Sequence, residues 1–256
     1  MFEKEANAVE FWRQKYMWQA ILVVLLLGGV AVSAICFFEA FFTRLLCGVV
    51  VIALIYLMLK ELYADLQTRG ESVCVAQAGD LFKDLRFDVG LGIEEKVLTK
   101  LQSLEEYQAR ECRNVVFQEG MSIEEDVFYN IVSAKFGRLQ QIVFEGIILE
   151  FELNKSISAV CGEAELTDGQ VKISMQKGNL PKNQQIGAAL RDMLVFFKSD
   201  KLEIESFENK IYFLIPTREK IFWQFSLFRR NRVEQFNSRV LMLKAKAENL
   251  YAALNA

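Results

Sequence analysis

The feature that most constrains this chain is a pair of adjacent apolar runs near its start. Met17 to Phe38 is twenty-two residues without a charge, and Ala40 to Leu59 carries only Arg44 near its beginning. At 1.5 Å per helical residue the first run crosses a ~30 Å hydrocarbon core. One continuous helix through both would be more than twice that thickness and would hold Glu39 and Arg44 in mid-membrane, so a tight two-helix hairpin is the economical fold. Its expected parts are a leader over 1–16, a helix over 17–38, an external turn over 39–44 and a second helix over 45–63.

Trp12, Tyr16 and Trp18 mark one end of the hairpin and Phe37, Phe38, Phe41 and Phe42 the other, as interfacial aromatic belts do. Arg44 can snorkel to the interface, and Gly28, Gly29, Ser33 and Gly48 would let the helices approach closely. A retained anchor, a cleaved leader ending at Val32-Ser33-Ala34 and a re-entrant hairpin all remain open, with the mixed-charge leader and the second apolar run favouring the anchor. Lys4, Arg13 and Lys15 precede the hairpin, while Lys60 and Arg69 follow it. This bias places both termini in the cytoplasm of a multi-pass protein, expected in a bacterial inner membrane. The lipid bilayer is thus the first expected partner.

Composition narrows the chemistry of the rest. The 256 residues contain no histidine, which removes the commonest general base and every imidazole triad or dyad. The five cysteines, at 36, 47, 74, 112 and 161, make no CxxC and offer neither a zinc knuckle nor a disulfide framework. A net charge of −3 gives no general attraction to nucleic acid, so none is expected as a partner.

A polar linker is expected over 64–79, leading into a cytosolic α+β domain over 80–256 that mixes helices with antiparallel strands. Ile93, Val97, Leu101 and Leu104 recur at helical spacing and predict a helix running to about Cys112. Ile186 to Phe197 predicts a second. Ile147 to Leu153 alternates as a strand, Asp168-Gly169 is a hairpin turn, and the runs before and after Phe207–Lys210 form another hairpin. Val127 to Val132 carries signals of both helix and strand.

The last forty-one residues are basic, at +5, which leaves −8 on residues 70–215 because residues 1–69 balance. Val233, Phe236, Val240, Leu243, Ala247, Leu250 and Leu254 repeat at heptad spacing and predict a long amphipathic helix over 230–254. Leu241 and Met242 widen its apolar stripe, so packing on the acidic body of the domain is favoured, with an anionic lipid surface as the rival. Phe222, Trp223 and Phe225 beside Arg229, Arg230 and Arg232 form a candidate binding or packing surface.

Glu94-Glu95, Glu105-Glu106 and Glu124-Glu125-Asp126 are the carboxylate clusters, and adjacent acids on a helix or strand diverge, so each is expected on a solvated face. Gly90-x-Gly92 lacks the third glycine of a dinucleotide loop. No catalytic, cofactor-binding or metal-ligating residue is assigned from the sequence, and no cofactor is expected.

The segment Phe144-Glu-Gly-Ile-Ile-Leu-Glu-Phe-Glu-Leu-Asn-Lys155 resembles the F-x-G segment and terminal Asn-Lys pair of an uncharacterised bacterial membrane-protein family, a domain of unknown function with an N-terminal membrane hairpin and a cytosolic α/β region. Leu202 to Pro216 is similar to its late hairpin. Glu125-Asp126 with the apolar run behind it resembles a third element, where the family implies a strand. The resemblance brings no activity with it. The expected function is a non-catalytic, membrane-anchored binding or scaffolding protein with a protein partner at the membrane; the alternative is a membrane-tethered enzyme with a carboxylate site, which a pocket of three or more converging carboxylates would favour.

Overall fold

The computed structural model describes residues 2–37, 41–81, 85–88, 92–104, 106–134, 137–154, 159–181, 184–219, 221 and 233–256. The chain divides into two compact units, residues 1–78 with 223–237 and residues 79–222 with 238–256.

The first unit is built on two long helices, α1 (Phe2–Phe37) and α2 (Phe41–Leu81). Within them Val9–Ala34 and Phe41–Val73 are each long and apolar enough to cross a membrane. They run antiparallel, because Arg69 lies over the Trp12 ring at 4.6 Å and Tyr16 donates to Asp65, pairing early residues of α1 with late residues of α2. The buried face of α1 is Val9, Arg13, Tyr16 and Ala20, at alternating spacings of four and three. Beyond it Leu22, Leu25, Leu26, Val30 and Val32 are exposed, as are Leu45, Leu46, Ile52 and Leu57 of α2.

Three expectations change here. The stretch 64–79, expected as a linker, is helical and continues α2 to Leu81, since no proline interrupts it and Leu66 and Gly70 are buried. The turn ends earlier than 39–44, because α2 starts at Phe41; residues 38–40 lie outside the described residues. A Cβ added at Gly28, Gly29 or Gly48 would meet nothing within 4 Å, so these glycines do not set the approach of the helices. That approach is set by the polar and aromatic contacts of Trp12, Tyr16, Asp65 and Arg69. Trp18 is exposed, and Arg44 sits in the first turn of α2.

The second unit is an antiparallel sheet with helices, an α+β fold. Its strands are β1 (Arg86–Asp88), β2 (Ala109–Gln118), β3 (Met121–Ala134), β4 (Gly137–Glu152), β5 (Cys161–Thr167), β6 (Gln170–Lys177), β7 (Lys201–Phe207) and β8 (Lys210–Pro216). They order β1-β2-β3-β4-β8-β7-β5-β6 in one eight-stranded sheet. Both hairpins expected around Asp168-Gly169 and Phe207–Lys210 form, as β5–β6 and β7–β8. Asp168 and Glu208 take positive φ in those turns, where Gly169 follows the first with φ +76°. The ambiguous segment Val127–Val132 is strand, inside β3.

Register assigns the side chains to two faces. Ile148 opposes Leu214, and Glu150 opposes Tyr212, on one face; Ile147 opposes Ile215, Leu149 opposes Phe213 and Phe151 opposes Ile211 on the other. The first face is covered by residues 92–107, whose Ile93, Leu98, Leu101 and Leu104 pack with Phe128, Ile148, Tyr212 and Leu214. This covering segment is not the long helix that the spacing of Ile93 to Leu104 predicts. Only α3 (Glu95–Leu98) is helical, turns follow, and β2 begins at Ala109. The apolar residues reach the core from turns because Glu205 accepts hydrogen bonds from the backbone N–H groups of Gln102 (2.7 Å) and Ser103 and from the Ser103 hydroxyl, fixing the loop onto β7.

Two longer helices follow, α4 (Gln184–Phe197) in this unit and α5 (Val233–Asn255), which belongs to it from Ser238 onward. The expected stripe of α5 is buried from Phe236 through Val240, Leu243, Ala247 and Leu250 to Leu254. Tyr251 stacks on Phe151 with centroids 6.1 Å apart, and Lys246 lies 3.9 Å from Asp192 of α4, while Arg239 lies 3.7 Å from Glu219. Leu241 and Met242 are exposed, so the stripe is narrower than the sequence suggests.

Candidate functional site

The acids at 124–126 are the sharpest departure from the sequence reading. Glu124 and Asp126 have no exposed surface and Glu125 only 3%, whereas a solvated face was expected. The cause is the position of β3, third in an eight-stranded sheet and covered on both faces, so neither side of the strand meets water. Alternation sends Ser122, Glu124, Asp126 and Phe128 to the face covered by residues 92–107, and Glu125 to the other. There Glu125 accepts from Asn114 Nδ2 at 3.2 Å and from the Ile221 N–H at 3.3 Å.

Arg110 brings the countercharge. It opposes Phe128 in the β2–β3 register, and Cys112 opposes Asp126. The register shifts between Cys112 and Asn114, so Val115 and Phe117, at odd positions, share the face of Arg110 and Cys112. The guanidinium donates from Nε to Asp126 (2.9 Å), from one terminal nitrogen to Glu124 (2.7 Å) and from the other to the Ile93 carbonyl (2.8 Å). Glu124 also accepts from the Ile93 N–H at 2.5 Å and the Ser122 hydroxyl at 3.2 Å. Gly92 roofs the cluster: a Cβ there would lie 2.5 Å from Glu124 Oε2 and 2.7 Å from Arg110. A residue larger than glycine would push the loop off the ion pair.

Burial, joined by repulsion from Asp126, pushes the Glu124 carboxyl up to about 8 against the opposing pull of Arg110. Cys112 is pushed up to about 12, first by burial and then by the charges of Asp126 and Glu124, which makes it a poor nucleophile at neutral pH. Burial also raises Tyr212 and Tyr107 above the ordinary phenol value, so both are hydrogen-bond donors; Tyr107 donates to Glu95 at 2.7 Å.

Gly92, Ile93, Ser122 and Glu124 of this cluster line a cleft of about 340 Å³ between the 92–97 segment and the β7–β8 turn. Its walls include Glu94, Glu124, Glu150 and Glu208, with Lys96 and Lys210 among them and Val97, Phe117 and Phe207 supplying apolar surface. In number these acids meet the criterion of three or more carboxylates around one pocket. They do not converge on a common point, because Glu94 is paired with Lys96, Glu124 with Arg110 and Glu150 with Lys210 at 2.5 Å. Cys112, Glu124 and Asp126 each offer one atom within 4.8 Å of the others, a spacing that a cation could use. Arg110 already bridges the two carboxylates, so the donor set is satisfied by a guanidinium and fits a metal poorly.

Glu94 and Glu95 are exposed as expected, and so is Glu106; Glu105 lies outside the described residues. The candidate surface of Phe222, Trp223, Phe225, Arg229, Arg230 and Arg232 also lies outside them. The sequence signal that could have found the cleft is the alternation of Glu124 and Asp126 on a strand flanked by apolar residues, with Arg110 and Cys112 alternating likewise on its neighbour. No family model, no curated protein and no solved structure matches the chain.

Proposed function

We propose that the protein is a membrane-anchored, non-catalytic binding or scaffolding module at the cytoplasmic face of a bacterial inner membrane, with both termini cytoplasmic and a protein partner held at the cleft of the sheet unit. One observation carries the choice of binding over catalysis: three of the four glutamates around the cleft are engaged by cations and the nearby Cys112 thiol is held protonated. The Glu94–Lys96 and Glu150–Lys210 pairs present alternating charge for recognition, and Cys112 is no activated nucleophile. The apolar helices supply the anchor, and the Lys and Arg bias about them supports the orientation. The layout and the Phe144–Lys155 and Leu202–Pro216 segments support membership of the uncharacterised bacterial family they resemble.

Crosslinking in native membranes followed by mass spectrometry tests the reading. A specific protein should crosslink to the full chain, and a Lys210→Glu, Lys96→Glu variant that reverses the cleft's cations should lose it. Glu124 favours a second reading, a membrane-tethered enzyme, because a carboxyl with its pKa near 8 is placed to hold a proton in the lining of a cleft. Turnover by the purified full chain that Glu124→Gln abolishes would replace the scaffold reading with this one.

A further inference from the structure

We propose that the outer ribbon of the β3–β4 hairpin, residues 130–134 and 137–144, is a wedge that enters the headgroup region of an anionic bilayer. The two strands outrun their neighbours. Pairing of β3 with β2 ends at Tyr129 and pairing of β4 with β8 ends at Gly146, whereas β3 and β4 pair with each other as far as Ala134 and Gly137. Asn130–Ala134 of β3 and Gly137–Phe144 of β4 therefore stand beyond the strand pairing of their neighbours.

Both faces of this ribbon carry exposed apolar side chains. Val132 opposes Leu139 on one face, while Ile131 and the Tyr129–Ile142 pair lie on the other. Leu139 and Ile142 are 63% and 57% exposed, and Ile131 and Val132 more than two fifths. A protein docking on a ribbon covers one face and leaves the other in water, but a bilayer interface immerses both. The two-sidedness is what selects lipid.

Charge points to the same occupant. From Val127 to Phe144 there is no acidic residue, and Lys135 and Arg138 supply two positive charges, within a stretch of chain, residues 70–215, whose net charge is −8. Exposed apolar side chains with the cation of Arg138 beside them are complementary to anionic headgroups. The inference rests on the reading of α1 and α2 as a membrane anchor, which would hold the hairpin near a bilayer at high effective concentration, so even a modest intrinsic affinity would keep it engaged.

The test uses the full chain with its native cysteines replaced by serine, carrying a nitroxide at Leu139→Cys, at Ile142→Cys, or at the exposed Ser174→Cys of β6 as a water reference. In vesicles of phosphatidylcholine and phosphatidylglycerol, labels at 139 and 142 should both show a several-fold higher ratio of oxygen to nickel-chelate accessibility than the label at 174. Lys135→Glu, Arg138→Glu should return both to the reference value. Labels at 139 and 142 as open to nickel as that at 174 would overturn the proposal. So would shielding of one face alone, or spin–spin broadening that disappears on dilution with unlabelled chain, since either marks a protein interface or a second copy. An alkaline carbonate wash after the labels are read tests the anchor separately: a chain that stays in the pellet with wet labels sinks the hairpin alone, and a chain that washes out sinks the anchor.

Discussion

The helical unit and the sheet unit distribute their residues in opposite ways. In α1 and α2, large aliphatic side chains such as Leu25 and Ile52 stand about two thirds exposed, while Arg13 and Tyr16 lie in the buried face. In the sheet unit the aliphatics of the central strands, such as Ile123, Ile147, Ile148 and Leu214, are buried, and so are Glu124, Asp126 and Glu205. The difference is one of backbone as much as side chain. A helix closes its hydrogen bonds within itself and can turn an apolar surface to hydrocarbon, whereas a strand satisfies its backbone through its neighbours and becomes interior when the sheet is wide. A strand that is interior on both faces must bury whatever its sequence carries, and β3 carries three adjacent acids.

The largest expected effect comes from removing the group that makes this burial tolerable. Arg110→Ala should destabilise β2 and β3 by about 3–5 kcal/mol, because Glu124 and Asp126 would be left buried without their partner. Hydrogen exchange of the β2 and β3 amides in the full chain reads the loss. Arg110→Met combined with Glu124→Gln and Asp126→Asn should recover much of it, since no uncompensated charge then remains. A single Arg110→Ala variant with unchanged protection would mean that the buried acids are held by something other than this ion pair.

On the other face of the sheet, Leu243→Asp should cost about 2–5 kcal/mol through lost apolar contact and an unpaired buried charge. The measurement is the urea midpoint of the same chain in detergent. Leu241→Asp, two residues away and exposed in the structure, should change that midpoint little. Equal effects at the two positions would break the assignment of the stripe.

The comparison inverts in the helical unit. Leu25→Arg changes an exposed residue, and on a helix facing water it would cost almost nothing; at the centre of a spanning helix it should cost roughly 2.5–3.5 kcal/mol of insertion free energy. The fraction of the chain in the membrane pellet after alkaline extraction distinguishes the two. An unchanged fraction would show that Leu25 does not face hydrocarbon.

These contrasts also explain what was legible in the sequence. The apolar helices, the hairpins at Asp168-Gly169 and Phe207–Lys210 and the stripe of α5 are local patterns with a local cause, and each forms. The covering segment was misread because Ile93, Val97, Leu101 and Leu104 satisfy a helical period while Glu205, a hundred residues away, pins their backbone as turns. The cleft was missed for the same kind of reason. Whether Glu124 meets water depends on β3 having β2 and β4 beside it and residues 92–107 above it, and no window of sequence around Glu124 contains that information.

The smallest effect per step is the dependence of stability on pH. Glu124 has an ordinary carboxyl value of 4.5 and is pushed up to about 8 in the fold, chiefly by burial. Between those limits the folded chain keeps a proton that the unfolded chain has released, so stability falls as pH rises through this window and levels off above it, with a slope of at most about 1.4 kcal/mol per pH unit. The direction is opposite to that of a carboxylate lowered by a salt bridge, even though Arg110 sits 2.7 Å away, because desolvation and the neighbouring Asp126 outweigh that attraction. Glu124→Gln keeps an acceptor for Arg110 and removes the titration. Its urea midpoint should therefore be flatter than that of the wild-type chain across the window, and the two curves should approach each other at the acid end, where Glu124 is protonated in both states. A wild-type midpoint that climbed with pH would show Glu124 to be ionised in the fold, and the sheet unit would then hold two full negative charges against one guanidinium.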